Sequence, residues 1–210
     1  MIRGRFITLE GGEGAGKSTL AAALAAALAE RGIDVLATRE PGGTPLAERV
    51  RAVVIERGEE PIDVTAETLL MFAARSIHVV NGVRPALAAG RWVLCDRFTD
   101  ATYAYQGAGR GVPATLIDTL ASAVQQGLWP DRTLLLDLPV EAGLARARQR
   151  GGGADRFESE RGAFFNRVRG EYLRRARVEP HRFRILDATL PPAALLQAAL
   201  AALADWLPPT

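Results

Sequence analysis

A glycine-rich run, Gly11-Gly12-Glu13-Gly14-Ala15-Gly16-Lys17-Ser18-Thr19, follows a short apolar stretch, Phe6–Leu9, and opens an alanine-rich stretch with helical character, Ser18–Arg31. The run fits G-x-x-x-x-G-K-[ST], and strand, loop, helix is the context in which that spacing wraps a polyphosphate. Glycines let consecutive backbone N–H groups converge on an anion. The helix start adds about half a positive charge. Lys17 is then expected to reach the β- and γ-phosphates, and the Ser18 hydroxyl to ligate Mg²⁺. The motif demands a strand that ends at the loop and a helix that leaves it. It therefore commits the chain to an α/β fold of the P-loop NTPase kind, and residues 11–19 to binding a nucleoside triphosphate such as ATP.

The rest of the sequence agrees. Strands are expected at Ile33–Thr38, Arg91–Asp96, Thr133–Leu138 and Phe183–Asp187. Helices are expected at Pro45–Arg57, Thr65–Val80, Pro113–Gln126, Glu141–Gln149, Glu160–Val178 and Pro191–Trp206. The Thr65–Val80 helix is apolar nearly all round, which predicts burial. Short apolar strands alternating with helices mean a parallel sheet covered on both faces. Ligands of such sheets bind beyond the carboxyl ends of the strands. No linker separates two parts, so residues 1–210 are expected to form one domain.

Composition narrows the function. The net charge of +2 gives no support for a nucleic-acid partner. A single cysteine, Cys95, excludes an intramolecular disulfide, and two distant histidines argue against a zinc site. The longest Ala/Leu stretches, Leu20–Ala29 and Ala193–Ala204, fall short of the ~18 residues of a membrane span. The start shows no long apolar run of a secretory signal. The expectation is a cytoplasmic protein without a membrane partner.

The strand Arg91–Asp96 ends in Asp96-Arg97-Phe98. An aspartate at a strand tip beside a phosphate loop can hold Mg²⁺ through water, and Arg97 would face the same crevice. Taken alone, the pair is equally readable as a structural ion pair. It is accompanied by Arg39-Glu40-Pro41-Gly42-Gly43 upstream and Tyr105-Gln106-Gly107 downstream. With EGGEGAGKST (Glu10–Thr19), TREPGGTPLAE (Thr38–Glu48), DRFTDATYAYQG (Asp96–Gly107) and RARQRGGGADRFE (Arg146–Glu158), the chain resembles the bacterial thymidylate kinases over essentially its whole length.

That resemblance implies a five-stranded parallel sheet, a short LID at about 148–158, a homodimer, and the reaction ATP + dTMP → ADP + dTDP with Mg²⁺. It implies that Arg97 binds the dTMP phosphate, with Arg39, Glu40, Pro41 and Arg51 lining the same site. Glu13 would face the sugar hydroxyl or the metal, Arg75 would hydrogen-bond the thymine, and Thr102 and Gln106 would lie near the base. Tyr105 would crowd the sugar 2′ position. Two positions depart from the family pattern. Ala101 stands where a serine is usual, and Met71 stands where a phenylalanine usually covers the base, with Phe72 next to it. Both Met71 and Phe72 share the helix face of Arg75.

Arg75 also stands out without the resemblance. It lies in the apolar helix LLMFAARSIHVV, where an unpaired guanidinium is costly. Either a carboxylate such as Glu67 or a ligand must meet it. Arg148, Arg150 and Arg156 flank Gly151-Gly152-Gly153, a hinge-like composition. Arginines on such a flap can neutralise charge on a transferring phosphoryl group; Arg150 and Arg156 are expected there, and Arg148 against the adenine. The competing readings are a solvated loop for the flap, and for the chain a deoxynucleoside kinase with Glu13 or Glu40 as base, or a P-loop switch or partitioning ATPase.

Overall fold

All six residues of the first strand, β1 (Phe6–Gly11), are buried. That is the mark of a strand with neighbours on both edges and cover on both faces. The computed structural model, which describes residues 3–55, 60–149 and 158–208, places it at the centre of a five-stranded sheet. The other strands are β2 (Val35–Arg39), β3 (Trp92–Asp96), β4 (Arg132–Asp137) and β5 (Phe183–Asp187). Their order is β2-β3-β1-β4-β5, and every pairing is parallel.

The helices are α1 (Lys17–Ala29), α2 (Pro45–Ile55), α3 (Val64–His78), α4 (Arg84–Ala88), α5 (Thr99–Thr102), α6 (Ala114–Gln125), α7 (Val140–Gln149), α8 (Glu158–Val178) and α9 (Pro192–Ala201). Single π-helical stretches join α3 to α4 (Val79–Val83) and extend α5 (Tyr103–Gly109). Neither was expected from the sequence. The helical path thus continues beyond Val80 into α4, whose first turn accommodates Pro85.

Side chains of β1 alternate between two layers, as the two-residue strand period requires. Ile7 and Leu9 join Leu24 and Leu28 of α1 and Leu195 and Ala199 of α9. Phe6 faces the other way, onto Val79, Val83 and Phe98. Thr8 and Glu10 share its face, and the Thr8 hydroxyl pairs with that of Thr133 at 2.9 Å. The α3 helix is less buried than its composition predicts. Phe72, Arg75 and His78 are enclosed, but Leu69 is 48% exposed. Its apolar girdle is wider than the surface the rest of the chain supplies.

The order in which strands are added switches beside β1: β2 and β3 lie on one side of it, β4 and β5 on the other. A crevice therefore opens beyond the carboxyl ends of β1 and β3, where Leu9 and Asp96 are paired in register.

Candidate active site

Into this crevice β1 delivers the glycine loop. Gly16, at φ 90°, caps α1 in the left-handed region that glycine adopts without a Cβ penalty. Gly14, at φ 72°, touches Gly143 of α7 so closely that a Cβ would lie 2.2 Å from the Gly143 carbonyl oxygen. Loop and helix are thus locked by two facing glycines. Lys17 folds back over the loop, its Nζ donating to the Gly11 and Gly12 carbonyls at 3.1 and 2.8 Å. Burial, then the nearby charge of Arg97, pushes the Lys17 ammonium down to about 7.

The end of β3 lies opposite. Residues Glu13 to Thr19, Asp96 and Arg97 enclose a cleft of about 210 Å³. The Ser18 hydroxyl donates to Asp96 Oδ2 at 3.1 Å, and Asp96 Oδ1 is buried without a hydrogen-bond partner. Arg97 has φ 72°, a region that carries strain for any residue with a Cβ. Its guanidinium donates to the hydroxyls of Tyr105 at 3.0 Å and Tyr172 at 3.3 Å, with Cζ 4.6 Å from the Tyr105 ring centroid.

Deeper lies Arg75, 1% exposed. Its Nε donates to Glu40 Oε2 at 2.7 Å, so the buried partner is Glu40 and not Glu67. Its Nη2 donates to the Thr102 hydroxyl at 3.1 Å, and its Nη1 has no partner. Glu40 is committed at both oxygens, because Oε1 meets His78 Nδ1 at 2.9 Å. Glu67 instead accepts from Gln106 Nε2 at 2.7 Å and from Arg110. A carboxylate only accepts, so Glu67 fixes which way the Gln106 amide points. The Gln106 Oε1 is turned away from Glu67 and is unpartnered. Among the described residues, five buried side-chain polar atoms make no hydrogen bond; Arg91 Nε is ion-paired with Asp34 all the same, Arg132 Nε is another, and Arg75 Nη1, Asp96 Oδ1 and Gln106 Oε1 are the remaining three. Such groups are rare and costly in a folded chain, and here they collect where a ligand was expected.

Comparison with known proteins decides the family. A family profile described as thymidylate kinase matches residues 9–199. The chain belongs to the thymidylate kinase family. A thymidylate kinase of Chromohalobacter salexigens is 61% identical over 189 residues, covering 90% of this chain and 89% of that protein. One of Alkalilimnicola ehrlichii is 54% identical over 211 residues, covering 99% and 97%. The crystal structure of thymidylate kinase from Ehrlichia chaffeensis superposes with a TM-score of 0.79 at 32% identity, over 96% of this chain and 99% of that one.

Within this thymidylate kinase fold the remaining expected residues fall as follows. Arg51 donates to the Pro41 carbonyl at 2.8 Å, bracing the Pro-Gly-Gly turn. Arg39 points outward, to Glu48 at 3.0 Å, and is not brought to the crevice. Phe72 is 2% exposed, packed under the Arg75 guanidinium at 4.7 Å and against Tyr103 and Ile117. Met71 keeps part of its surface. Ala101 sits in an apolar cluster with Ala104, Val168 and Tyr172, where a hydroxyl would need a partner. Arg148 is exposed at the end of α7. Arg150 and Arg156 lie outside the described residues.

Sequence reasoning missed several residues that the fold gathers in. Arg146 donates to the Ala188 carbonyl at 2.9 Å and lines a second cleft, of about 420 Å³, with Gly14, Thr19, Gln149, Leu190 and Pro192. Glu10 is fully buried and bonded to Phe98 N and Tyr172. Burial, then the Asp100 charge, pushes the Glu10 carboxyl up, while the Arg97 charge and the bonds from Tyr172 and the Phe98 N–H oppose this and favour the ionised, accepting form. Only a period-two count from Phe6 could have put Glu10 on the face of β1 that meets α5 and α8.

Proposed function

We infer that this chain transfers the γ-phosphoryl group of ATP to dTMP, giving ADP and dTDP. The observation that carries the reading is the meeting of a polyphosphate loop and a strand-end arginine at one crevice, backed by Arg75 and Gln106. The donor/acceptor pattern behind the crevice supports thymine. Arg75 Nη1 is an unspent donor and Gln106 Oε1 an unspent acceptor. Thymine offers a carbonyl oxygen beside a ring N–H, which complements both. Cytosine reverses that order, with an amino group beside a bare ring nitrogen, and would leave two buried groups mispaired. A site built on such groups rejects the wrong partner strongly.

The roles follow. Lys17 and the loop amides hold the β- and γ-phosphates, and the cleft beside Arg146, Gln149 and Leu190 takes the adenosine end, with Arg148 at its rim. Arg97 binds the acceptor phosphate, and Tyr105 crowds the sugar. Thr102 orients Arg75. Of the adjacent pair, Met71 has the surface to lie on the base, since Phe72 is occupied beneath Arg75. Ser18 and Asp96 suit Mg²⁺, which takes one or two carboxylates together with substrate phosphates. Their hydroxyl and the unpartnered Oδ1 supply that donor set. When bound, Mg²⁺ offsets the charge of the phosphates.

The acceptor is already an anion, so no strong base is required. Catalysis then consists of bringing two polyanions into line and neutralising charge. Lys17 and Arg97 do this from fixed positions, and Arg150 and Arg156 from the glycine-flanked segment. A nucleoside acceptor would need a carboxylate base, and Glu40 is unsuited because both its oxygens are spoken for. We also assign a cytoplasmic homodimer, with Leu69 and Val80 in the subunit contact, because they are 48% and 58% exposed.

The test is product analysis with ATP, Mg²⁺ and a panel of mononucleotides. The expected result is dTDP, with kcat/KM for dTMP at least ~10²-fold above that for dCMP, the scale of discrimination when buried polar groups are left unpaired. Equal turnover of dCMP would overturn the thymine assignment and leave the kinase standing.

A further inference from the structure

Glu10 opens the motif Glu10–Thr19, yet phosphate binding gives it no task. It is fully buried, and each of its oxygens bonds a group that adjoins Arg97. Oε1 accepts the Phe98 N–H at 2.7 Å, fixing the peptide that leaves Arg97. Oε2 accepts the Tyr172 hydroxyl proton at 2.7 Å. A tyrosine hydroxyl has one proton. With that proton spent on Glu10, only lone pairs remain on the oxygen, and these face Arg97 Nη1 at 3.3 Å.

The main chain shows the same grip. The N–H of Arg97 donates to the Leu9 carbonyl at 2.9 Å, and its carbonyl accepts the Cys95 thiol at 3.0 Å. A residue with a Cβ at φ 72° is held there only by surroundings that over-determine it. Glu10 reaches both the peptide following Arg97 and, through Tyr172, its guanidinium.

We propose that Glu10 and Tyr172 are positioning residues that pre-orient Arg97 for the acceptor phosphate: Glu10 sets the direction of the Tyr172 hydroxyl, which presents an acceptor to the guanidinium. The proposal rests on the reading of Arg97 as the acceptor-phosphate ligand. Tyr172 lies on α8 and Glu10 on β1, 162 residues apart, so the device exists only in the folded chain.

The test uses three single variants of the full chain and one double. Tyr172→Phe removes one oxygen and keeps the ring. Glu10→Gln keeps the size, but its amide either donates to Tyr172 or withdraws from Phe98. In the first case the hydroxyl turns its proton toward the guanidinium. Calorimetry of dTMP binding is combined with steady-state kinetics. Tyr172→Phe and Glu10→Gln are each expected to weaken dTMP binding by about tenfold, the scale of one hydrogen bond to a charged group. KM for ATP should stay within about twofold, because the donor cleft is untouched. The double variant should be no worse than the poorer single one, since both act through one hydroxyl. If Glu10→Gln fails to fold, Tyr172→Phe decides alone. Unchanged dTMP binding in a folded Tyr172→Phe enzyme, whatever its melting temperature, overturns the proposal provided that Arg97→Ala loses binding. If Arg97→Ala itself binds dTMP normally, the underlying reading of Arg97 is what fails.

Discussion

Two buried arginines are finished to different degrees. Arg182 is 4% exposed and bonds through all three nitrogens: Nε to Glu179, Nη1 to Asp100 and Thr133, Nη2 to Asp100 and Glu179. With Arg175, which also meets Asp100, it ties α8 and the start of β5 to α5. Arg75, 1% exposed, is bonded at Nε and Nη2 only. Both are screened from water, and a buried donor without a partner costs about 1–3 kcal/mol. A closed set of bonds is what a structural tie requires. An open one, repeated at Asp96 and Gln106 around the same crevice, is what a binding site carries before its ligand arrives. Burial alone does not separate the two kinds of arginine, and neither does one open nitrogen, since Arg132 Nε is also unpartnered although that side chain ties to Asp205; the gathering of open groups around one crevice does.

The largest effect expected lies on the open side. Lys17→Ala should reduce turnover by about 10³-fold with the fold retained, the upper scale for losing one preorganised charge. Circular dichroism and single-turnover kinetics check it, and wild-type turnover at saturating ATP would mean that this loop does not hold the phosphates. Arg150→Ala and Arg156→Ala should lower kcat about 10²-fold with little change in KM for dTMP, since charge met only during transfer appears in kcat.

Next comes a direct test of the contrast. Arg182→Met should cost about 3–5 kcal/mol of stability, because it strands Asp100 among fewer partners, while KM for dTMP in the folded enzyme stays near wild type. Arg75→Met also leaves a carboxylate behind, but should in addition lose about 10–10²-fold in kcat/KM for dTMP, the scale of a hydrogen bond to a charged donor. Urea titration and kinetics on the same samples separate the two readouts. Equal dTMP defects in both variants would break the distinction.

The smallest effect is a proton. Lys17 is pushed down to about 7, below its ordinary 10.5, so at pH 8 it is mostly neutral before ATP arrives. A polyphosphate beside it favours the charged form. ATP binding should therefore take up close to one proton at pH 8 and far less at pH 6, read by calorimetry in buffers of different ionisation heat. Lys17→Met should abolish the difference. The same depressed value gives a stability sign for the unliganded enzyme: the contribution of Lys17 is present above pH 10.5 and is lost as pH falls through about 7.

How far each part was legible depends on how local its physics is. The glycine loop, its strand and its helix are consecutive, and their spacing carries the chemistry, so Gly11 to Thr19 read directly. The five strands read with small shifts at their ends, as apolar runs between breakers do. The strand-end position of Asp96 and Arg97 left a structural ion pair equally open, and only the accompanying motifs and the resemblance made the pair a candidate site. The π-helical extension after Thr102 did not read, because a one-residue change of pitch leaves no periodic trace.

What the sequence by itself determined is therefore the α/β class, the glycine-rich phosphate-loop motif and, by resemblance, the family and the arginine proposed to bind the acceptor. What only the tertiary structure decided is the pairing of buried charges. Arg75 meets Glu40 across 35 residues of sequence, Glu67 goes to Gln106 across 39, Arg182 closes on Asp100 across 82, and Tyr172 reaches Glu10 across 162. A carboxylate looks alike to every arginine in the chain, and charge has no period. Only the packing of helices against a finished sheet brings one partner within about 3 Å and keeps the others away. It thereby settles which guanidinium is complete and which is left to bind.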